Sequence, residues 1–351
     1  MTGRSSSSLA QTARARAHQR SGTRAAVWGG AIALAVTLAP ATGAPAAPTP
    51  GPSAARAPAA TTGSTPAAAP RRIDLPRGWQ PEGVTTDGRR LYVGSLADGA
   101  IYRANPRAGA GAVLARGRTG RVAVGIDYDR RRNLLWVVGG PTGVVRAHDA
   151  TTGKVRRVYR FPAPKAGTDR FLNDVVVTRH AVYGTDSMYR QLVVVPLRHG
   201  DRLPPKRAAH TLRLTGDLRY QTGFNLNGIV RSGRHALLAV QSNTGKLFRI
   251  RPATGATRQV NLHGRRLVNG DGLERARGQL YVVRNQNNRV AVVDLRRHDR
   301  TGRVVGRLTA RSLDVPSTAA AVRRSLWVVN ARFGTPPGTR RAYWLTRLPL
   351  R

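Results

Sequence analysis

A bulky or branched residue set between aliphatic or small ones returns six times along this chain. The copies are Leu91-Tyr92-Val93, Leu135-Trp136-Val137, Val182-Tyr183-Gly184, Leu237-Leu238-Ala239, Leu280-Tyr281-Val282 and Leu326-Trp327-Val328. Their centres are 44, 47, 55, 43 and 46 residues apart, close to the ~40–50 residues of a four-stranded propeller blade. Helical repeats share such periods, but here turn signals such as Asp87-Gly88, Thr152-Gly153, Ser232-Gly233, Thr244-Gly245 and Thr301-Gly302 cut the chain into short runs rich in Val, Tyr and Trp. That is strand chemistry. A further strand is expected after each triplet, over 100–103, 144–148, 191–196, 246–250, 289–295 and 342–348. An outer strand then follows in the first five units, as at 155–161 and 304–308. The sixth unit has no room for one, and Arg72 to Leu75, just ahead of the first repeat, is expected to supply it and close the ring. The expected fold is all-β, a six-bladed β-propeller over 71–351 closed by an N-terminal strand, with a seven-bladed ring as the alternative. The insertion at 198–222 reads as a rim loop.

Residues 1–46 read as a secretory signal peptide. Arg4, Arg14, Arg16, Arg20 and Arg24 precede an apolar run from 25 to 38, and Ala44 and Ala46 offer a small-residue cleavage site. Cleavage is placed after Ala46, with Ala44 as the alternative. The apolar run is shorter than the ~20 residues of a spanning helix, and no later segment is apolar enough for a transmembrane anchor. Residues 47–70, nearly all Ala, Pro, Thr, Gly and Ser, read as a flexible linker. The expected product is secreted, extracellular and monomeric.

Formal charge is +42, from 59 Lys and Arg against 17 Asp and Glu. Four of the 59 are Lys, so 59 − 4 = 55 are Arg, spread along an Ala-, Gly- and Pro-rich chain in the manner of a GC-rich bacterial genome. A specific nucleic-acid partner is therefore not expected, although a basic surface suits an anionic cell-wall polymer. With no cysteine, disulfides, thiolate metal sites and a lipidated anchor are excluded. Any metal must be held by oxygen or imidazole.

Ten or eleven residues before a triplet centre, where the innermost strand of a blade begins, four of the six units carry an oxygen donor. These are Glu82 in Pro81-Glu82-Gly83, Asn173 in Leu172-Asn173-Asp174, Asn227 in Leu226-Asn227-Gly228 and Asp271 in Gly270-Asp271-Gly272. Unit two has Val124 there, and unit six has Ser317 or Thr318. Two carboxylates and two amide oxygens converging on a channel suit one divalent cation, Ca²⁺ before Zn²⁺. Asn-Gly, Asp-Gly and Asn-Asp are also turn formers. Glu82 is not explained that way, and Glu274 is the only other Glu.

At these residues the chain resembles the calcium-dependent propeller hydrolases of the senescence marker protein/gluconolactonase family and its relatives, luciferin-regenerating enzyme, paraoxonase and strictosidine synthase. The resemblance spans 71–351. It implies that Glu82, Asn173, Asn227 and Asp271 hold one divalent cation at the channel mouth, and Thr185-Asp186-Ser187 also looks like a feature of that family. Phe171 stands two residues before the Asn-Asp pair, where the gluconolactonase type often has Arg, and Arg170 is the nearest one. His148, His180, His199, His210, His235, His263 and His298 fall in or beside turns with no evident partner, and read as solvated.

Two functions are carried forward. One is a secreted, metal-dependent hydrolase acting on a small-molecule ester or lactone, with Asp271 as general base toward the attacking water. The other is a non-catalytic extracellular propeller that binds an anionic wall polymer or a partner protein. The fold alone hosts both.

Overall fold

Alternating aliphatic and aromatic runs between glycine-containing turns build six antiparallel sheets around a channel. The computed structural model describes residues 70–350 other than 166–167, 198–199 and 201, so the stretch read as a signal peptide (1–46), His199 and nearly all of the stretch read as a linker (47–70) lie outside the described residues. The chain opens with β1 (Arg72–Leu75). Blade 1 holds β2 (Pro81–Thr86), β3 (Leu91–Ser95), β4 (Ile101–Asn105) and β5 (Ala110–Ala115). Blade 2 holds β6 (Ile126–Asp129), β7 (Leu134–Val138), β8 (Val144–Asp149) and β9 (Val155–Arg160). Blade 3 holds β10 (Leu172–Val177), β11 (Ala181–Asp186), β12 (Gln191–Pro196) and β13 (His210–Arg213). Next come β14 (Thr215–Gly216) and blade 4, with β15 (Leu226–Ser232), β16 (Ala236–Gln241), β17 (Lys246–Arg251) and β18 (Ala256–Gln259). Blade 5 holds β19 (Gly270–Ala276), β20 (Gln279–Arg284), β21 (Arg289–Arg296) and β22 (Thr301–Leu308). Blade 6 holds β23 (Pro316–Val322), β24 (Ser325–Asn330) and β25 (Tyr343–Pro349).

The inner strands β2, β6, β10, β15, β19 and β23 neighbour one another in that order, and β23 returns to β2. The ring is therefore six-bladed. Its closure is the expected one: β1 pairs antiparallel with β25, from Arg72 opposite Thr346 to Leu75 opposite Tyr343, as the outer strand of blade 6. Among the described residues no helix is long and apolar enough to cross a membrane.

The repeated triplets lie on the second strand of each blade. Their centres Tyr92, Trp136, Tyr183, Leu238, Tyr281 and Trp327 are all buried between neighbouring sheets, each stabilising the ring by about 1.5–3 kcal/mol. The insertion expected as a rim loop does more than that. Within its described part, β13 becomes the outer strand of blade 3, and β14 adds a fifth, parallel strand to blade 4 by pairing Thr215 with Ala256 and Gly216 with Thr257. Buried Leu214 and Leu218 pin it there, a packing constraint that loop composition does not reveal.

The Gly residues after the candidate donors are not in turns. A Cβ on Gly83 would lie 2.2 Å from Val124 O, on Gly228 2.2 Å from Asp271 O, and on Gly272 2.6 Å from Thr318 Cα. None of the three has positive φ. They are glycine because the inner strand of one blade presses against the backbone of the next. The turn-former alternative for Asn-Gly and Asp-Gly is thereby replaced by close packing around the channel.

Candidate functional site

Five of the six inner strands carry the same irregularity. The register with the second strand slips between Pro81 and Val84, Leu172 and Val175, Leu226 and Ile229, Gly270 and Leu273, and Pro316 and Ala319. A bulge redirects side chains, and the residues inside these five bulges include Glu82, Asn173, Asn227, Asp271 and Ser317. Ser317 does not serve as a further channel donor, since both its hydroxyl and that of Thr318 donate to Glu82 O at 2.6 Å. In blade 2 the equivalent position is filled by buried Val124.

The four donors are buried, Glu82 to 4% exposure and Asp271 to 2%. Glu82 Oε2, Asn227 Oδ1 and Asp271 Oδ1 have no hydrogen-bond partner. Buried polar atoms are rarely left so. Glu82 and Asp271, two blades apart, are close enough to repel: burial, then Asp271 and Asp174, holds the Glu82 carboxyl well above its usual range. Burial, assisted by Asp174, pushes Asp271 up to about 7, against the pull of Asn285, which donates to Oδ2 at 2.9 Å, and of the neighbouring Asn227 amide. The Asn227 amide lies against Asp271 without relieving Oδ1. Asn173 reaches the same cluster through Ser187, which bonds both its amide and Leu226 O, the residue before Asn227. Partnerless oxygens with two carboxylates among them are what a hard cation coordinates. Among the described residues no group of three or more His, Asp or Glu is arranged to hold a metal, so the amides are essential to such a set.

Thr185-Asp186-Ser187 proves to be a brace. Thr185 Oγ1 donates to Asn227 O at 2.8 Å, and Asp186 is fully buried against Arg170, with Nη2 2.7 Å from Oδ2. Arg170 is thus consumed in the wall, where it also donates to Phe161 O and Pro162 O, and does not face the channel. His148 departs from expectation as well. It is 2% exposed on β8, its Nδ1 against Gly153 O at 3.0 Å, and burial pushes it down to about 4. His180, His210, His235, His263 and His298 are exposed as expected.

The channel widens toward the opposite end into a cavity of about 660 Å³ lined by Asp127, Asp174, Glu274 and Arg231 among others. Its carboxylates are occupied. Asp127 takes N–H from Val177 and Tyr128, Asp174 from Ile229 and Val175, and Glu274 from Ala321. In each case one of those donors belongs to the inner strand of the next blade, so these groups tie the ring together, unlike the partnerless oxygens above them. Burial pushes Asp127 up to about 6; burial, with repulsion from Asp127 and Asp174, pushes Glu274 to about 8. The sequence reading passed over them as channel groups, although Glu274 shares the rarity that marked Glu82.

A carboxyl whose pKa is higher folded than unfolded binds more protons in the folded chain. Its stabilising contribution is present at low pH and is lost as pH rises through the folded value. For Asp127 and Glu274 the window runs from their ordinary values near 3.8 and 4.5 to about 6 and about 8. The metal-free protein is expected to melt lower at pH 8 than at pH 5.5, each group contributing at most about 1.4 kcal/mol per pH unit. Glu274→Gln keeps an acceptor for Ala321 N and should flatten that slope in melting curves across the window. A slope equal to that of the parent counts against this origin.

Apolar side chains surround the donor end. Phe171 and Phe224, on the segments entering β10 and β15, meet edge to face at 5.1 Å. Phe224 is 41% and Met188 38% exposed. Among the described residues the remaining large exposed apolar side chains are Val268, also at this end, and four valines on the outer strands β5, β9 and β22.

No protein-family model matches the chain, and no curated protein matches it. Solved structures do. A streptogramin B lyase superposes with a TM-score of 0.50 at 10% identity, over 79% of this chain and 97% of that one. The major allergen Mala s 1 of Malassezia sympodialis gives 0.56 at 14%, over 80% and 96%. The hydrazine synthase of Kuenenia stuttgartiensis gives 0.50 at 13%, over 77% and 83%. At such identities the likeness is one of fold: this chain shares a propeller architecture with an enzyme and with an allergen alike.

Proposed function

We propose that this chain is a divalent-cation-dependent hydrolase of lactones or related esters, secreted and resembling the gluconolactonase-type propellers in its donor set. The observation that carries the proposal is the trio of buried, partnerless oxygens, Glu82 Oε2, Asn227 Oδ1 and Asp271 Oδ1, at equivalent bulges of different blades. Together with Asn173 these residues would hold a calcium ion, which would supply a Lewis acid for the ester carbonyl and positive charge against the charge developing on its oxygen. With Asp271 Oδ1 facing the ion, Oδ2, which accepts one hydrogen bond from Asn285, keeps a lone pair that suits it to take a proton from the attacking water. A carboxylate that also serves a cation is a weak base, which restricts turnover to activated esters such as lactones. Phe171, Phe224 and Met188 give the ester an apolar approach from which water is readily displaced.

The test is hydrolysis of a lactone and aryl-ester panel by the parent and by Asp271→Asn, each with and without chelator. Asp271→Asn keeps the shape but deletes the base, so turnover should fall about 10²–10⁴-fold, while its carbonyl, drawn toward Asn285, serves the ion less well and calcium raises the melting temperature only at a larger excess. The charge of +42 favours a second reading, a non-catalytic propeller whose basic surface holds an anionic wall polymer. A parent that calcium stabilises but that turns over nothing in the panel moves the assignment there.

A further inference from the structure

An asparagine amide can be turned two ways, and only one of them offers oxygen to a cation. The neighbours of Asn173 and Asn227 leave no choice. Ser187 Oγ lies 2.6 Å from Leu226 O and 2.9 Å from Asn173 Nδ2. A carbonyl oxygen only accepts, so the single hydroxyl proton of Ser187 is committed to Leu226 O. The hydroxyl can then only accept from Asn173, which turns Nδ2 toward Ser187 and Oδ1 away. Blade 4 repeats the device: Ser242 Oγ donates to Gly270 O at 2.5 Å and accepts from Asn227 Nδ2 at 3.1 Å. Asn227 Oδ1 is left buried without a partner.

Blade 5 uses an amide in place of the hydroxyl. Asn285 Oδ1 accepts from Gln286 N at 2.6 Å, so its Nδ2 must face outward, where it meets Asp271 Oδ2. Ser187, Ser242 and Asn285 all stand immediately after the second strand of their blades. The same position is Leu96 in blade 1, Gly139 in blade 2 and Ala331 in blade 6. A polar residue occurs there only in blades 3, 4 and 5, and in blades 3 and 4, whose donors are amides, each hydroxyl is tied to the carbonyl just before the next blade's donor.

We infer that Ser187 and Ser242 are positioning residues that lock the Asn173 and Asn227 amides with their oxygens away from the wall, so that the donor end of the channel offers oxygen alone and takes a cation. The cation part rests on the proposed metal reading; the lock does not. Outer partners of this kind typically contribute about 10- to 100-fold to metal affinity.

Two readouts on the full chain separate them. In the chelator-treated protein, the side-chain amides of Asn173 and Asn227 should show slowed hydrogen exchange by NMR, lost at Asn173 in Ser187→Ala and at Asn227 in Ser242→Ala. In calcium chloride titrations by calorimetry, each alanine variant should bind about 10-fold or more weakly, with Ser242→Thr restoring both readouts by restoring the hydroxyl. Unprotected amides in the parent, or alanine variants with parental calcium affinity, overturn the inference. Protected amides in a parent that binds no divalent cation retire the metal reading while the lock stands.

Discussion

Removing the chain through residue 75 is expected to unfold the propeller or lower its melting temperature by about 10 °C or more, while a chain beginning at residue 71 melts like the parent. The difference between the two is β1. Its four residues pair along the whole of their length with β25, Ile73 and Leu75 are buried in the cluster between blades 6 and 1, and Arg72 lies over the Trp344 ring at 4.3 Å. Burial of the two aliphatic side chains alone stabilises by about 3–6 kcal/mol, against the roughly 5–15 kcal/mol that holds a typical domain folded. In a chain of this size each kilocalorie moves the midpoint by about 2–4 °C. Loss of the strand also leaves the backbone of β25 unpaired at an edge, and opens the one seam where a propeller's ends are held by non-covalent pairing. Calorimetry of the two truncations decides the matter: equal melting temperatures would defeat the closure argument. The single substitution Ile73→Asp, which buries an unpaired charge in that cluster, should reproduce most of the loss.

The ring was legible because its period is written in large residues. Trp136 and Trp327 are spaced as blades are and buried as blade cores are, and the strand expected at 191–196 coincides with β12. What composition could not reveal was where outer strands pair. Apart from Leu212 and Leu214 the stretch at 210–216 is exposed and polar, and only the burial of Leu214 and Leu218 between blades fixes β13 and β14. His148 was misread for a related reason: it lies beside a turn in sequence, yet its face of β8 is turned toward blade 1.

The four candidate donors stood out in the sequence for a different reason. A channel position recurs once per blade, so four oxygen side chains at the same offset stood out against chance, and Glu82 stood out because Glu is rare here. The orienting residues follow the same periodicity, 14, 15 and 14 positions after Asn173, Asn227 and Asp271. Ser187 stood out only within Thr185-Asp186-Ser187 and without a role, and Ser242 and Asn285 did not, because serine and asparagine after a strand read as ordinary turn chemistry. The carboxylates of the wide cavity share no single offset, Asp127 and Asp174 standing 9 residues before their triplet centres and Glu274 standing 7. Asp127, Asp174 and Glu274 bond the strand of the next blade, and such a tie depends on how far one strand is shifted along another, which sequence spacing does not encode.

Calcium is expected to raise the melting temperature, and Glu82→Gln to abolish most of that rise while leaving the calcium-free protein as stable as the parent. The second half of the expectation discriminates. Burial, then the nearby Asp271, holds the Glu82 carboxyl far above its ordinary range, which favours its neutral form in the calcium-free protein, and glutamine mimics that form in shape and charge. An ion bound only by the folded chain stabilises by RT ln(1 + [L]/Kd), about 2.7 kcal/mol at a hundredfold excess over Kd, or roughly 5–10 °C here. A cation favours the ionised carboxylate, and higher pH favours that form too, so the rise should grow from pH 5.5 to pH 8 in the parent. Glutamine has no proton to release and one charge fewer to set against the cation, so in Glu82→Gln the rise should be small at every pH. Melting curves of both proteins, with chelator and with excess calcium, at the two pH values give eight midpoints. A parent indifferent to chelator removes the metal site altogether, and a variant that calcium stabilises as fully as the parent removes Glu82 from it.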